Sequence, residues 1–217
     1  MTYYFTAEDE KKLGKDVIIS SFKKMAQETK INAVALAFPN YIKNTHDDDL
    51  DPYSPYLVSN DLLISLIKEA HKEGLFVLLK PMLNTLNGEW RAYINFLDSE
   101  ELCEPKWSVF FTNYEKYLAR YAVIAEKNKV EMLLVGCELV SCERKTSNWH
   151  HLITSLRLVY HGLLSYNADK YDEENVHYWE SCDAISSSAY YPEKSLNDNL
   201  DRVQLLCDKF DKPYFIA

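Results

Sequence analysis

The chain has 217 residues, of which 47% are hydrophobic and 26% are charged, so it can bury a sizeable core and is not disordered. Its net charge of -9 repels phosphate backbones and anionic lipids, which argues against nucleic acid or a membrane surface as a partner. No apolar stretch reaches the roughly 20 residues of a spanning helix. Residues 1–10 lack the basic flank and apolar centre of a secretion signal, which predicts a cytoplasmic protein.

The sequence predicts neither a metal site nor a cofactor. Its five cysteines form no C-x-x-C pair, which argues against a disulfide framework or a thiolate zinc site and predicts reduced thiols. The acidic segment 46–51 is not a calcium loop of the EF-hand type, because Pro52 and Val58 stand where that loop needs glycine and glutamate. His150 and His151 have no partner at metal-ligand spacing and are interpreted as ordinary helix residues.

Short apolar runs rich in β-branched residues alternate with stretches of helical period. No linker or repeat divides the chain, so we predict one domain over residues 1–217. The predicted strands cover residues 31–38, 75–81, 132–138, 162–166, 184–189 and 214–217, with a partial strand at 3–6. Because these runs are continuously apolar, they predict a parallel sheet covered by helices.

Three helices are well marked between these strands. Ser59 is expected to cap the first, which stops at Gly74, and the second spans residues 107–127 with one apolar side. Ser147 is expected to cap the third, which contains Trp149.

The missing glycine loops decide between two parallel folds. Neither G-x-G-x-x-G nor G-x-x-x-x-G-K occurs, which disfavours a doubly wound nucleotide-binding sheet. We therefore predict an α/β fold of the (β/α)8 TIM-barrel type in which about strands 1 or 2 to 7 are present. A complete barrel takes roughly 250 residues, and the sequence stops within the last predicted strand, so we expect a fragment or a trimmed chain.

The active site of a parallel barrel lies at the carboxyl ends of its strands. The polar residues at those ends are Asn40, Tyr41, Lys80, Asn84, Glu138, Tyr166, Asn167, Asp169, Tyr190 and Tyr191. Glu138 is the strongest candidate, because an apolar strand delivers it to a partly desolvated position, and burial favours the protonated carboxyl group that a general acid needs. The alternative is a structural glutamate that caps a helix or pairs with a lysine.

Two further positions have alternative interpretations. Lys80 either lines a site or forms a salt bridge with a neighbouring acid, and Trp90 with Arg91 either line a cleft or pack on the barrel rim. The sequence has no G-x-S-x-G elbow and no cysteine in a nucleophile setting, so acyl transfer has little support.

Several motifs occur in one order from about residue 31 to the end of the chain. They are Lys80-Pro81, Gly88-Glu89-Trp90-Arg91, Val135-Gly136-Cys137-Glu138-Leu139, Trp149 with Leu152-Ile153 and Arg157, Tyr160-x-Gly162 before Ser165-Tyr166, Tyr178-Trp179, and Ala189-Tyr190-Tyr191-Pro192. Together they resemble glycoside hydrolase family 113, the β-mannanase-like retaining (β/α)8 barrels.

This resemblance implies cleavage of β-1,4-mannosidic bonds with retention and without a cofactor, on an oligosaccharide or polysaccharide of β-mannan type. Glu138 matches the general acid/base. The nucleophile glutamate would directly follow the strand at 212–217 and is absent from this sequence. Since retention needs two carboxyl groups about 5 Å apart, we expect the 217-residue chain itself to be inactive.

The resemblance also implies a set of substrate-binding positions. They are Lys80, Asn84, Trp90, Arg91, Asn167, Asp169 and Tyr190. Lys80 and Asn84 would donate to sugar hydroxyls, Trp90 and Arg91 would line the cleft, and Tyr190 would contact the nucleophile or form the floor of the sugar site.

The sequence departs from the family pattern at three places. Segment 166–170 reads Tyr-Asn-Ala-Asp-Lys where the family has Tyr-Ala-Ala-Asn-Trp, Ser188 replaces an aspartate, and His150 replaces an arginine. Two rival functions therefore stay open, namely a glycosidase for another β-linked sugar and a carbohydrate-binding barrel that has lost catalysis.

Overall fold

The computed structural model describes residues 1–99 and 101–217, and its strands form a parallel sheet. The strands are β1 (Thr2–Tyr4), β2 (Ala33–Ile42), β3 (Phe76–Thr85), β4 (Met132–Cys137), β5 (Leu163–Ala168), β6 (Ala184–Ser187) and β7 (Tyr214–Ile216). They lie in chain order, and each strand pairs in parallel with the next. The sheet curls into part of a barrel, so the predicted incomplete (β/α)8 architecture is confirmed.

Helices cover the outer face of this sheet. They are α1 (Ala7–Leu13), α2 (Lys15–Thr29), α3 (Asn60–Lys72), α4 (Trp107–Lys127), α5 (Thr146–Arg157) and α6 (Leu196–Phe210). The three predicted helices correspond to α3, α4 and α5. The predicted cap of α3 is confirmed, because the Ser59 side chain accepts a hydrogen bond from the Leu62 amide at 3.0 Å.

The predicted cap of α5 is wrong. Helix α5 begins at Thr146, and Ser147 lies exposed in its first turn without capping a backbone amide. The start of α5 is fixed instead by Trp149, a fully buried side chain whose indole Nε1 donates to the carbonyl of Cys142 at 2.9 Å. Burial of a large aromatic ring therefore sets this end of the helix.

Several strand ends differ from their predicted positions, including that of β5, which continues past Tyr166 to Ala168. Strands β2 and β3 continue past Phe38 and Pro81 to Ile42 and Thr85, because both prolines of this region fit into an unbroken ladder in which Phe38 lies opposite Pro81. Strand β6 stops at Ser187, since Ala189 and Tyr190 adopt left-handed φ angles of 54° and 50° that no strand accommodates.

The core has two parts, one on each face of the sheet. The larger part lies between the sheet and the helices, and α4 contributes Tyr114 and Tyr117, whose hydroxyls donate to the carbonyls of Val135 and Met82 at 3.1 Å each. The smaller part fills the inside of the curled sheet with Ala35, Leu78, Met132, Leu134 and Ala184. An apolar cavity adjoins this smaller cluster at the amino ends of the strands, away from Glu138.

The acidic segment 46–51 uses carboxylates to accept hydrogen bonds from backbone amides, both its own and those of other segments. Asp47 accepts from the amides of Lys43 and Asp49, and Asp48 accepts from the amide of Lys106 at 2.6 Å. These bonds give Asp47 and Asp48 a structural role in a loop.

The cysteines are free, with Cys103 exposed and the other four buried. Among the described residues, no helix is both long and apolar enough to cross a bilayer.

We expect Ser59→Ala to lower the free energy of unfolding of the full-length protein by at least about 1 kcal/mol, because the hydroxyl loses both the capping bond from Leu62 and its bond to Glu10. Ser147→Ala is the matched control, since this serine caps nothing, and we expect a change within about 0.5 kcal/mol. Urea unfolding of both variants measures the difference. Equal losses would contradict the assignment of the caps.

Candidate active site

Glu138 leaves the sheet directly after β4, at an irregular point of the strand pairing. Leu134 lies opposite Ser165, but Cys137 lies opposite Asn167, so β4 contains one more residue than β5 over this stretch. The Glu138 amide donates to the Asn167 carbonyl at 2.8 Å, and its φ of 53° lies in the left-handed region. This bulge turns the chain and fixes where the Glu138 side chain begins.

Both oxygens of the Glu138 carboxyl group have a protein donor. Arg91 Nη2 donates to Oε2 at 3.0 Å, and the Ser188 hydroxyl donates to Oε1 in a short hydrogen bond. The Glu138 side chain is 13% exposed, and that of Arg91 is 14% exposed. The charged partner of Glu138 is therefore an arginine, whereas the structural alternative proposed a lysine.

Arg91 reaches Glu138 from a single-turn helix, Arg91–Tyr93, that follows β3. Its Nη1 donates to Asn84 Oδ1 at 2.6 Å, which holds the guanidinium plane between β3 and Glu138. Trp90 points elsewhere: it is 41% exposed and meets the ring of Tyr93 edge-on at 5.6 Å. Two adjacent residues thus provide a partly buried charge and an exposed aromatic face.

A second chain of hydrogen bonds approaches Glu138 from the opposite side. The buried Lys80 Nζ donates to Asn167 Oδ1 at 2.9 Å, and Asn167 Nδ2 donates to the Ser188 hydroxyl at 3.0 Å. Ser188 in turn donates to Glu138. Lys80 therefore contacts an amide rather than the acid of the salt-bridge alternative, and hydrogen bonds through Asn167 and Ser188 connect it to Glu138.

Asp169 and Tyr190 make less direct contact with the group around Glu138. Burial raises the pKa of Asp169, and the negative charge of Glu138 raises it further, so the two carboxyl groups sense each other. Tyr190 is 75% exposed in its left-handed conformation. The structure thus brings Lys80, Asn84, Arg91 and Asn167 around Glu138, with Asp169 in electrostatic reach, and leaves Trp90 and Tyr190 exposed.

Sequence reasoning missed that Ser188 contacts Glu138 directly. The contact could have been anticipated from the strand register, because Ser186 lies opposite Asn167 and Ser188 follows two residues later on the same face.

Sequence reasoning also missed Tyr4 at the end of β1. Burial and the neighbouring Tyr41 raise the pKa of the Tyr4 hydroxyl to about 12, and Arg91 is near enough to oppose that shift.

A family model for glycoside hydrolase family 113 matches residues 1–217. The chain belongs to glycoside hydrolase family 113. A solved family 113 β-1,4-mannanase is 41% identical to it with a TM-score of 0.88, over 92% of this chain and 65% of that one. The family 113 β-mannanase AaManA from Alicyclobacillus acidocaldarius, solved in complex with ManMIm, is 33% identical with a TM-score of 0.86, over 91% and 63% of the two chains.

The chain therefore spans slightly less than two thirds of the length of these mannanases. A mannanase catalytic domain from Streptomyces sp. SirexAA-E is 13% identical with a TM-score of 0.60, over 100% of this chain and 63% of that one, which is a likeness of fold alone. No curated protein sequence gives a significant match.

This family 113 chain also holds a carboxyl group behind Glu138 that the sequence did not reveal. Glu143 is 2% exposed and accepts a hydrogen bond from the Tyr166 hydroxyl at 2.8 Å. Burial raises the pKa of Glu143 to about 8, and the charges of Asp172, Asp169 and Glu173 add to the shift, whereas the bond from Tyr166 opposes it.

The raised pKa of Glu143 predicts a pH-dependent stability. The folded protein keeps the Glu143 proton up to about pH 8, but the unfolded chain loses it near pH 4.5, so this group stabilises the fold most below pH 4.5 and least above pH 8. Between these values we expect the free energy of unfolding of the parent to fall relative to Glu143→Gln, by at most about 1.4 kcal/mol per pH unit.

Urea unfolding of both proteins between about pH 5 and about pH 8 measures this slope. Glu28→Gln, at an exposed glutamate on α2, is the control. A difference between parent and Glu143→Gln that stays constant with pH would contradict the raised pKa.

Proposed function

We propose that this family 113 protein is a retaining glycoside hydrolase that cleaves β-1,4-mannosidic bonds, with Glu138 as general acid/base. The proposal rests on the position of Glu138 and its hydrogen bonds. Its side chain is 13% exposed at the carboxyl end of β4, and its two oxygens accept hydrogen bonds from Arg91 and Ser188. Such fixed geometry suits a group that must meet one glycosidic oxygen in one orientation.

The proposed reaction has two steps. In the first, Glu138 protonates the leaving glycosidic oxygen while a second carboxylate attacks the anomeric carbon and forms a covalent glycosyl-enzyme. In the second, Glu138 takes a proton from water, which displaces the carboxylate. In the ionised form that serves as base, both oxygens of Glu138 can keep their bonds to Arg91 and Ser188.

The second carboxylate belongs, by the family resemblance, to the residue that follows β7. The backbone supports this position, because Ile216 lies opposite Ser187 and the Ala217 amide donates to the Ser187 carbonyl at 3.1 Å. By this register Ala217 lies level with Ser188, the residue that donates to Glu138. We therefore propose that residues 1–217 alone bind sugar but do not turn it over.

The proposed substrate is a β-mannan or its oligosaccharides. The two similar solved structures are described as a β-1,4-mannanase and a β-mannanase in complex with ManMIm, which supports this sugar class. Asn84, which is partly exposed, supplies an amide group for sugar hydroxyls, and Trp90 offers an exposed ring for stacking. Lys80 and Asn167 are buried and bond to each other, so they support the site through Ser188 and do not line it.

A second candidate, hydrolysis of another β-linked sugar, is favoured by the polar side chains at Asp169, Lys170 and Ser188. Asp169 lies within electrostatic reach of Glu138. A carboxylate there accepts hydrogen bonds from sugar hydroxyls, whereas the amide that the family carries can also donate them. Comparison of β-1,4-manno-oligosaccharides with cello-oligosaccharides separates the two candidates.

We expect Glu138→Gln in the full-length protein to lower kcat/KM on manno-oligosaccharides by roughly 10²–10⁴-fold, because glutamine cannot donate a proton to the leaving oxygen. Glu138→Ala should keep activity on a dinitrophenyl β-mannoside, whose aryloxide leaves without protonation, and added azide should accelerate its turnover by replacing activated water. Reducing-sugar release and dinitrophenolate absorbance measure the two effects.

Glu28→Gln on α2 is the matched control and should behave as the parent. If Glu138→Gln cleaves manno-oligosaccharides at the parent rate, Glu138 is not the acid/base. If the full-length parent binds mannosides but cleaves neither them nor cello-oligosaccharides, the protein is a binding barrel and the enzymatic proposal fails.

Trp90→Ala should raise KM for manno-oligosaccharides roughly five-fold with a smaller change in kcat, because loss of one stacking surface removes about 1 kcal/mol of binding. The control is Leu158→Ala, at a hydrophobic side chain 79% exposed beyond the end of α5. Steady-state kinetics on a series of increasing oligosaccharide length tests the role. An unchanged KM would contradict stacking of a sugar on Trp90 and would favour the alternative that Trp90 packs on the barrel rim.

A further inference from the structure

We propose that Tyr166 and Glu143 form a positioning pair that fixes the backbone of the acid/base Glu138 through the amide of Leu139. The inference rests on the proposed function of Glu138 and adds two residues to its machinery. The Leu139 amide donates to the Tyr166 hydroxyl oxygen at 2.8 Å, and the hydroxyl hydrogen goes to Glu143 Oε1 at 2.8 Å. Neither residue touches the Glu138 carboxyl group.

Glu138 needs such a support because of its conformation. Its φ of 53° is rare for a residue with a side chain and persists only where neighbouring bonds enforce it. Two bonds flank the residue: its own amide donates to the Asn167 carbonyl, and the next amide donates to Tyr166. Loss of the second bond would let the peptide after Glu138 rotate and carry the carboxyl group away from Arg91 and Ser188.

The ring of Tyr166 is held in place by its surroundings. It is fully buried, and the rings of Trp149 and Tyr178 meet it edge-on at 5.2 and 5.5 Å. Gly136 lies against its other side, so closely that an added Cβ would come within 2.6 Å of the ring. Since the ring cannot shift, its hydroxyl oxygen is a fixed anchor for the Leu139 amide.

Glu143 determines which way that hydroxyl points. A tyrosine hydroxyl has one hydrogen, and donating it to Glu143 leaves a lone pair directed at the Leu139 amide. Glu143 is 2% exposed, and its Oε2 has no partner among the described residues, so the bond from Tyr166 is its main side-chain contact. Burial of a carboxyl group costs stability, which is consistent with a site retained for orienting Tyr166.

The test uses Tyr166→Phe in the full-length protein, which removes the hydroxyl and keeps the ring. Poor general acid catalysis slows substrates whose leaving group needs a proton and spares those whose leaving group does not. We therefore expect kcat/KM for manno-oligosaccharides to fall roughly ten-fold, as for one lost hydrogen bond, while kcat/KM for dinitrophenyl β-mannoside stays within about two-fold. A purely structural defect would lower both values together.

The control is Tyr121→Phe, which removes a buried hydroxyl that has no partner among the described residues. It should leave unchanged the ratio of kcat/KM for manno-oligosaccharides to kcat/KM for dinitrophenyl β-mannoside.

Because Glu143→Met removes the acceptor of the Tyr166 hydrogen, it should lower this ratio as Tyr166→Phe does. Glu143→Gln keeps a carbonyl oxygen for that hydrogen and should restore most of the ratio. Equal ratios in the parent, Tyr166→Phe and Glu143→Met would overturn the proposal.

Hydrogen exchange of the Leu139 amide tests the anchor without substrate. We expect this amide to exchange roughly ten-fold faster in Tyr166→Phe than in the parent or in Tyr121→Phe. If the parent cleaves no glycoside but the amide behaves as expected, the proposed function fails and the anchor stands. If the parent is active and Leu139 exchanges at the same rate in all three proteins, the anchor fails alone.

Discussion

The extra residue that β4 carries opposite β5 is the constraint on which the rest of the site depends. It places Cys137 opposite Asn167 and lets the Glu138 amide bond to the Asn167 carbonyl. Without it, the alternation of side chains along β4 would continue unbroken, and the carboxyl group would lie elsewhere relative to its neighbours. Asn167 thereby acts twice, since its backbone receives Glu138 and its side chain joins Lys80 to Ser188.

The two positive charges of the site both come from β3 and the turn that follows it, but they act differently. Arg91 makes direct contact with Glu138 and also bonds to Asn84, so it supplies charge and fixed geometry together. Lys80 bonds to the Asn167 side chain, and Asn167 in turn bonds to Ser188, so Lys80 makes no direct hydrogen bond to Glu138. Both cations therefore lie beside the acidic group that the site is built around, in a chain whose net charge is -9.

Sequence patterns predict the architecture because strands and amphipathic helices bury continuous or periodic apolar runs, as α4 does over its full predicted length. They also predict Glu138 as a candidate, because it directly follows an apolar strand. They could not give the contact of Ser188 with Glu138, which depends on the register of β6 against β5. Nor could they give the burial of Glu143, because it follows Cys142 and precedes Arg144 in a segment that looks polar and exposed.

Val135 lies within the irregular stretch of β4, and its carbonyl accepts the hydroxyl of Tyr114 from α4. A helix on the outer face of the barrel therefore satisfies a backbone group that the bulge leaves available. Loss of the Tyr114 hydroxyl would therefore leave the Val135 carbonyl without this donor, although the tyrosine lies on the far face of the sheet from Glu138. Among relatives, a change of tyrosine at this position should be accompanied by a change in the length or residues of the bulge, so that the two vary together.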